Sequence, residues 1–179
     1  NGTFTFSYDS TFTHRLTSVT NGQITQNMGY DASGNVITST LSGTGGKSIQ
    51  SSAVYQGSQN RITSSTDAAG NVTKYYYADG NVQMRALPTT IMDPKGTHHT
   101  ASYDDSGRMV QSGVANTASV QYTYDKGNPS SVQRTNNGKS QTYDFTHDDF
   151  GNMLTAKVGS RTLTTNVYNN SFDQLVQQT

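Results

Sequence analysis

The feature that most constrains this chain is a short unit in which an aspartate is followed three residues later by a glycine. The clearest copy, at residues 103–109, reads YDDSGRM, and residues 30–36, 66–72 and 147–153 match it closely. Residues 92–96 keep the first half of the unit. This spacing predicts a type I turn, because the aspartate carboxylate accepts backbone hydrogen bonds two residues on and glycine tolerates a positive φ. The predicted turn-formers are Asp31, Gly34, Asp67, Gly70, Asp93, Gly96, Asp104, Gly107, Asp148 and Gly151.

The residues that flank these units alternate between apolar and polar. Such alternation places one apolar row on one face of a strand. A type I turn followed by a left-handed residue is a common connection between the two strands of a hairpin. We therefore predict antiparallel hairpins in which the repeat tyrosine is the last inward-facing residue before the turn and belongs to a cross-strand aromatic ladder. The clearest alternating runs are residues 4–8, 120–124 and 143–147, and the predicted ladder is Tyr8, Tyr30, Tyr77, Tyr103, Tyr124 and Tyr168.

The composition favours folded β-structure over helix and over disorder. All 12 acidic residues are aspartate and only six residues are leucine, so good helix formers are scarce. The formal net charge is zero and the chain contains 11 tyrosines, whereas disordered chains usually combine high net charge with few aromatic residues. The predicted fold class is all-β, with repeated antiparallel β-hairpins that form a curved or spiralling sheet and almost no helix.

The repeat starts are spaced by about 21 residues, and some spacings are about half of that, as in arrays of two-strand or four-strand repeats. This regularity predicts a single β-domain over residues 1–179, and we expect it to be a piece of a much longer chain. Pro129 cannot donate to a strand ladder, so its strand is predicted to begin late or to lie at an edge. The repeat starts are Tyr8, Tyr30, Tyr55, Thr66, Tyr77, Met92, Tyr103, Tyr124, His147 and Tyr168.

These units resemble the YD-repeat, or RHS-repeat, family. The resemblance rests on the pattern Y-D-x-x-G-[NR]-[VM] and on a variant with a longer loop, in which five or six residues separate the tyrosine from R-[LI], as at residues 55–62 and 8–16. It extends over nearly the whole chain. The family includes bacterial RHS toxins, the cocoon proteins of insecticidal toxin complexes, wall-associated proteins and teneurins. The resemblance implies a strip of β-hairpins that spirals into a hollow shell, encloses a C-terminal effector in the toxin members, and is exported or displayed at a surface.

One segment departs from what the family would imply. Toxin members of the family contain a self-cleaving segment with the pattern D-P-x-G, and residues 93–96 match those four letters. Here the match lies at a repeat position in mid-chain, where proline is favoured as the second residue of a turn. We interpret it as an ordinary repeat turn and assign it no protease role.

Catalytic chemistry finds little support in the sequence. The chain has no cysteine, and adjacent His98 and His99 on a strand would point to opposite faces, which suits no shared metal. The paired aspartates at residues 104–105 and 148–149 belong to turns, so we do not expect them to flank a glycosidic bond. No copy supplies the further oxygen ligands of a calcium loop. We predict no enzyme activity, no catalytic residue, no cofactor and no metal site. His147 takes the place of a repeat tyrosine and is interpreted as a core or rim residue, not a catalyst.

The charge pattern excludes two classes of partner. The isoelectric point is about 7.1 and the basic residues are scattered, which leaves no electrostatic footprint for nucleic acid. No apolar run approaches the ~20 residues of a membrane-spanning helix, so membrane insertion is not expected.

Unpaired strands at the ends of the sheet would be templates for self-association.

Tyr76 is the aromatic residue that the sequence favours for ligand contact. It is predicted to lie on the opposite face from Tyr75 and Tyr77, so at least one of these rings is exposed. Two functions follow as alternatives. The first is a non-enzymatic structural segment of a secreted or surface-displayed bacterial YD-repeat protein, part of a shell or stalk that encloses or displays a toxin or effector. The second is a module that binds a carbohydrate or a host receptor through exposed aromatic rings.

Overall fold

The computed structural model describes residues 3–12, 14–56, 59–78, 86–115, 117–169 and 173–179. Every regular element in these ranges is a β-strand, paired antiparallel with its neighbour in sequence, and none is a helix. The predicted all-β fold class of repeated hairpins is confirmed. No helix long and apolar enough to cross a membrane occurs in the described part of the chain.

The chain divides into two compact units, and the first comprises Asn1–Thr97. Its strands form four hairpins in chain order, each with an outgoing strand, a turn and a return strand. The prediction of a single domain over residues 1–179 stays a prediction. The strands are β1 (Thr5–Tyr8), β2 (Leu16–Thr20), β3 (Ile24–Tyr30), β4 (Val36–Gly43), β5 (Ser48–Gln56), β6 (Arg61–Thr66), β7 (Val72–Tyr77) and β8 (Pro88–Met92).

The second unit, His98–Thr179, repeats the same plan with four further hairpins. Residues 170–172, in the predicted long loop after Tyr168, lie outside the described residues, as do residues 57–58 after Tyr55. The strands are β9 (His98–Tyr103), β10 (Met109–Val114), β11 (Ala118–Asp125), β12 (Asn128–Asn136), β13 (Lys139–His147), β14 (Met153–Val158), β15 (Arg161–Asn169) and β16 (Gln174–Gln178).

Each of the eight described hairpins contains a β-bulge directly after its turn. In the β3–β4 hairpin Tyr30 lies opposite Val36, whereas Gly29 lies opposite Thr38, so Ile37 is an additional residue. A bulge of this kind bends its strand and increases the local twist. The additional residue always directly follows the residue opposite the repeat tyrosine or its replacement His147, which we call the first return residue: Thr17, Ile37, Thr63, Thr89, Val110, Ser130, Leu154 and Val176.

The pairing between successive hairpins follows one rule, illustrated by the β2–β3 junction. Ser18, two residues after the first return residue Leu16, lies opposite Asn27, three residues before Tyr30. The same offset occurs at the five other described junctions. Within a hairpin, the residue before the tyrosine lies opposite this same return-strand position. Each hairpin is therefore displaced along its strands by two residues from the one before it, a stagger of about 7 Å.

The Asp-x-x-Gly turns do not all lie at the same edge. Those that begin at Asp31, Asp104 and Asp148 connect the two strands of a hairpin. The turn at Asp67 instead joins β6 to β7, and the turn at Asp93 follows the return strand β8. The halved spacings in the sequence therefore come from turns at the opposite ends of the strands, not from shorter repeats.

The prediction made from Pro129 is wrong. Strand β12 begins at Asn128 and pairs with both β11 and β13, so it neither begins late nor lies at an edge. Pro129 lies opposite Tyr124, and the ladder with β13 begins only at Ser131. At Pro129 the strand is therefore paired on one side only, so the absence of a backbone N–H there breaks no hydrogen bond with β13.

Each unit is a single layer of strands with very little conventional core. Extensive contacts occur only between strands that are neighbours in sequence. Among the described residues only Ala156, Arg61 and Asn166 are buried, and two of these side chains are polar. An ordinary domain covers one face of a sheet with a second layer. We call the half-buried face that carries the repeat tyrosines the tyrosine face; among the described strands, no second layer packs against it.

The positive φ of the turn glycines makes them sensitive to substitution. Gly107 has φ of +79°, which a β-branched residue adopts only with strain. We predict that Gly107→Val lowers the free energy of unfolding by more than about 1 kcal/mol, measured by urea denaturation. Gly43→Val is the matched control, because Gly43 has no positive φ and open space around its Cβ position. It should stay within about 0.5 kcal/mol of the parent. Equal effects of the two changes would contradict the turn geometry.

Candidate functional site

The aspartate of each repeat turn bends the backbone through its own hydrogen bonds. At the turn that begins at Asp67, the Gly70 amide donates to the Asp67 carbonyl at 3.0 Å, and the Asp67 amide donates to the Asn71 carbonyl at 3.0 Å. Oδ1 of Asp67 accepts from the amides of Ala69 at 2.8 Å and Asn71 at 2.9 Å. This carboxylate oxygen therefore organises the loop of four residues that follows it.

The second carboxylate oxygen binds the side chain that follows the glycine. Nδ2 of Asn71 donates to Oδ2 of Asp67 at 2.8 Å, and Nε of Arg108 donates to Oδ2 of Asp104 at 2.7 Å. The sequence pattern contained this Asn-or-Arg position, but its role was missed because it depends on side-chain direction. Turns with the same backbone bonds begin at Asp31, Asp67, Asp93, Asp104 and Asp148, and their glycines, Gly34, Gly70, Gly96, Gly107 and Gly151, all have positive φ.

The hydrogen bonds also hold these carboxyl groups in the charged form. Bonds from the side chain and then the backbone of Asn71 lower the pKa of Asp67 below its ordinary value of 3.8. The pKa of Asp104 is lowered first by the backbone amide of Arg108. The pKa values of Asp31 and Asp148 are lowered chiefly by the side chains of the asparagines that follow their glycines. Four of the turn carboxylates are thus anionic acceptors at neutral pH, which suits a backbone-binding role and not proton donation.

A second set of contacts joins each hairpin to the one before it. The Tyr77 hydroxyl donates to the Ile62 carbonyl at 2.8 Å, and the Arg61 guanidinium lies 4.8 Å from the centre of the Tyr77 ring. Arg61 is buried and also donates to the Gln56 side chain at 3.0 Å. Partial burial raises the pKa of the Tyr77 hydroxyl, and the charge of Arg61 opposes that shift. We call this pairing of tyrosine with the preceding arginine and carbonyl the clamp.

The clamp recurs in both units. The Tyr30 hydroxyl donates to the Leu16 carbonyl at 2.6 Å, and the Tyr124 hydroxyl donates to the Met109 carbonyl at 2.7 Å. The arginine preceding each acceptor residue lies over the corresponding ring, 5.9 Å from its centre for Arg15 and 4.6 Å for Arg108. The stagger of two residues explains why each tyrosine meets an arginine. If the pairing between successive hairpins is continued toward the turns, Tyr30 lies beside Arg15 and Tyr124 lies beside Arg108.

The other predicted ladder residues occupy the same repeat position with different surroundings. Tyr8 lies on the first strand and is exposed, whereas Tyr103 and Tyr168 are half-buried. In the last hairpin, the buried Asn166 donates through Nδ2 to the Met153 carbonyl at 2.9 Å. That carbonyl corresponds to the clamp acceptor of the other hairpins. An amide thus replaces a tyrosine hydroxyl there, a substitution that the sequence did not indicate.

Neighbouring turns touch one another along the tyrosine-bearing edge of each unit. Nδ2 of Asn35 donates to Oδ1 of Asn60 at 3.1 Å in the first unit. In the second unit Nζ of Lys126 lies 2.7 Å from Oδ1 of Asp149, but both side chains are largely exposed. Such an exposed ion pair contributes little to stability. The turn-to-turn contacts therefore align the turns more than they stabilise them.

Three comparisons place this geometry among known proteins. No family model matches the sequence, and no curated protein matches it. The Tc holotoxin pore of Photorhabdus luminescens matches in structure, with a TM-score of 0.74 and 12% identity over 97% of this chain. The TcdB2-TccC3-Cdc42 complex gives the same values, and the TcdB2-TccC3 complex gives 0.72, 10% and 93%. This chain has their fold.

The comparison concerns a small part of each toxin-complex chain, because the present chain spans 10% of their length. The resemblance to the YD-repeat shell, inferred from the repeat units, is confirmed at the level of the fold. At such low identity the similarity says nothing about activity or partners.

The structure brings together no reactive cluster among the described side chains. No group of three histidine or aspartate side chains in the described ranges is arranged to hold a metal ion. His14, His98 and His99 are exposed, and His147 lies opposite Met153 at the repeat tyrosine position. The contacts that the geometry does define are the clamps and the hydrogen bonds within and between the turns. Their role is to hold the backbone of neighbouring hairpins in place.

Tyr76 lies where the alternation of β7 predicts it. The residue is 45% exposed, while its neighbours Tyr75 and Tyr77 are half-buried on the tyrosine face. Its cross-strand partner is Thr90. The described sheet therefore presents one ring at this point, beside a hydroxyl-bearing side chain, and not a row of rings. Its proposed contact with a ligand stays a prediction.

The clamp hydroxyl can be tested by removing one oxygen atom. We predict that Tyr77→Phe lowers the free energy of unfolding by about 0.5–1.5 kcal/mol, because the Ile62 carbonyl loses its donor in a half-buried position. Tyr76→Phe removes a hydroxyl from the same strand on the exposed face and should leave the urea midpoint unchanged. A Tyr77→Phe variant as stable as the Tyr76→Phe control would show that the hydroxyl bond does not hold the hairpins together.

The turn carboxylates predict how stability depends on acid. Because the pKa of Asp67 is lower in the folded chain than its ordinary 3.8, its stabilising effect is complete above that value and is lost as pH falls through the folded pKa. Asp67→Asn should therefore flatten the fall of the urea midpoint below about pH 4. The matched control is Asp105→Asn, which removes an exposed carboxylate with no described hydrogen bond to a turn. An Asp67→Asn profile that falls as steeply as the parent would contradict the assignment.

Proposed function

We propose that this chain is a non-enzymatic structural segment of a secreted or surface-displayed bacterial YD-repeat protein. In this role it forms part of the wall of a β-shell or stalk that encloses or displays a toxin or effector. The observation that carries the proposal is the constant two-residue stagger from hairpin to hairpin, in a chain that shares the fold of toxin-complex structures.

The stagger supports a spiral path of the hairpins. A strip whose strands are all displaced in the same direction cannot continue as a flat ribbon of aligned turns, and in closed sheets the same displacement sets the tilt of the strands. At about 7 Å per hairpin, each repeat advances along the strand direction by a fixed step. A wall can then be extended by adding hairpins without changing the contact between them.

The single-layer construction supports a wall more than a compact domain. With only Ala156 as a buried hydrophobic residue in the described ranges, the units lack the core that a free-standing binding module usually has. The strands of each unit are held in place by the hydrogen-bond ladders, the turns and the clamps, and each of these contacts joins adjacent strands or hairpins. Stability of this kind grows with the number of repeats, as in other repeat proteins.

The assignment as non-enzymatic rests on how the acidic side chains are used. The oxygens of Asp31, Asp67, Asp104 and Asp148 accept hydrogen bonds from their own turns. These hydrogen bonds favour the charged form of each carboxylate, which suits an acceptor within a turn and not an acid that protonates a substrate. The proposed partners are the rest of the parent chain and an enclosed effector, with no nucleic acid, membrane insertion, cofactor or metal.

The direct test is a cryo-electron microscopy structure of the full-length protein that contains these 179 residues. We expect the segment to form one layer of a wall that bounds a cavity or stalk. A structure in which another layer of the same domain packs against the tyrosine face, or in which the turn carboxylates line a ligand-filled cleft, would contradict the proposal. The binding-module alternative would be established by a glycan-array signal that Tyr76→Ala abolishes and Tyr75→Ala leaves intact.

A further inference from the structure

The lysine and arginine side chains of the second unit differ in how their charge is balanced. At the turns, Arg108 and Lys126 each form an ion pair with an aspartate. On the strands, Lys157 lies directly opposite Asp144. The other lysine and arginine residues of this unit are exposed and form no ion pair with a described residue. They are Arg134, Lys139 and Arg161.

Arg134 and Lys139 are neighbours on the tyrosine face, beside the turn that joins β12 to β13. Val132 lies opposite Tyr122, which shares its face with the repeat tyrosine two residues later, and the two-residue period of a strand puts Arg134 on that face too. Arg134 lies opposite Gln141, so Lys139 is its diagonal neighbour, with the two Cα atoms about 7–8 Å apart. Two positive charges are thereby held side by side.

No carboxylate of a described strand in the second unit shares this face. Asp125 and Asp144 are the aspartates of these strands, and each directly follows a tyrosine of the tyrosine face, so each points to the opposite face. The remaining aspartates of the unit lie in loops at the other ends of the strands. The fold therefore gathers positive charge that is scattered in the sequence.

A cleft of about 470 Å³ lies beside the two cationic side chains. Asn136, Asn137 and Gln141 line it and supply amide groups, each of which both donates and accepts hydrogen bonds. The Tyr143 hydroxyl donates to Oε1 of Gln141 at 3.4 Å, and Nε2 of Gln141 has no described acceptor. The cleft thus combines two cations with groups that match the polar backbone of a peptide.

The backbone under the cleft is held in place by the sheet. Asn137 and Gly138 both have positive φ, which is the geometry of a tight two-residue hairpin turn. Strands β12 and β13 pair with each other and also with β11 and β14. The two cationic residues are therefore spaced before a ligand arrives, which lowers the cost of binding.

The spacing of the two charges matches an extended acidic peptide. In an extended chain, residues i and i+2 point to the same side and lie about 7 Å apart. Adjacent residues point to opposite sides, so carboxylates at i and i+1 do not both face the cleft. This chain contains no glutamate, and no two of its aspartates are separated by a single residue. The matching segment therefore belongs to another protein.

We propose that this cleft binds an extended acidic segment of a partner protein, with carboxylates at alternate residues. One carboxylate accepts two parallel hydrogen bonds from the Arg134 guanidinium, and the other accepts from the Lys139 ammonium. The amides of Asn136 and Gln141 bind the peptide groups between the two carboxylates. The inference does not rest on the proposed wall function, because it concerns the surface of β12 and β13 alone.

Fluorescence polarisation of labelled peptides with the 179-residue chain tests the spacing. We expect saturable binding of a peptide with the pattern E-x-E. A peptide of the same composition with adjacent glutamates should bind about tenfold more weakly, because it loses one charge-assisted contact. Equal affinity for the two peptides, or no saturable binding of the first, would overturn the proposal.

Two substitutions test the assigned residues. Arg134→Gln and Lys139→Gln should each weaken binding of the E-x-E peptide about tenfold and remove its advantage over the peptide with adjacent glutamates. Arg161→Gln is the matched control, because Arg161 is also exposed and forms no described ion pair but lies outside the cleft on β15. It should leave the affinity unchanged, and all three variants should keep the urea midpoint of the parent. An equal loss with Arg161→Gln would refute the site.

Other polyanions test the class of ligand. Oligogalacturonate and single-stranded oligodeoxythymidylate, each with the same number of charges as the E-x-E peptide, should compete with it about tenfold less well than the unlabelled peptide does, because neither presents a peptide group between its charges. Competition as strong as that of the peptide would overturn the proposal in favour of an acidic sugar or a nucleic acid.

Discussion

The structure depends on a carboxylate that binds its own backbone. In each repeat turn, aspartate Oδ1 accepts from the amide four residues on, as Asp148 does from Asn152 at 2.9 Å. The amide is thereby satisfied without a strand partner, and the chain reverses within five residues. Glycine at the fourth position makes the reversal accessible, because it accepts the positive φ that other residues resist. The turn fixes where the return strand begins, and the register of the hairpin follows from that point.

The register in turn determines what the tyrosine meets. A two-residue stagger places the ring of Tyr77 beside the first residues of the preceding return strand, at the guanidinium of Arg61 and the carbonyl of Ile62. In the β3–β4 hairpin the repeat links local and non-local order, since Asp31 closes the hairpin and Tyr30 binds it to the previous one. This explains how a sheet with almost no buried side chain can remain ordered. Its stability is distributed over many half-buried contacts of similar kind.

The sequence predicted what is local and missed what depends on pairing. The turns and the all-β fold followed from residues a few positions apart, such as Asp104 and Gly107, and the fold prediction is confirmed. The clamp joins residues 14 to 16 positions apart, as in Arg61 and Tyr77, so only the strand register identifies the partner. The bulges leave no compositional mark, because the additional residue can be Thr17, Ile37 or Ser130.

Two details show how tertiary context overrides a local pattern. The unit at Asp67 is nearly identical in sequence to the unit at Asp31, yet it turns the chain at the opposite edge, and Thr66 lies opposite Val72 without a bulge. The bulge occurs opposite the repeat tyrosine position, whether or not an aspartate follows it, as at Tyr55 and Tyr168. Pro129 was misjudged for a related reason, since its strand has a free ladder position at that residue.

Amide hydrogen exchange by solution NMR tests the central claim most directly, with a control inside each turn. The amides of Asn35, Asn71, Arg108 and Asn152 donate to an aspartate carboxylate, whereas the amides directly after each aspartate have no described acceptor. If the carboxylates organise the turns, the first set exchanges slowly and loses its protection as the aspartates are protonated. Exchange of both sets at the same unprotected rate near neutral pH would contradict the account.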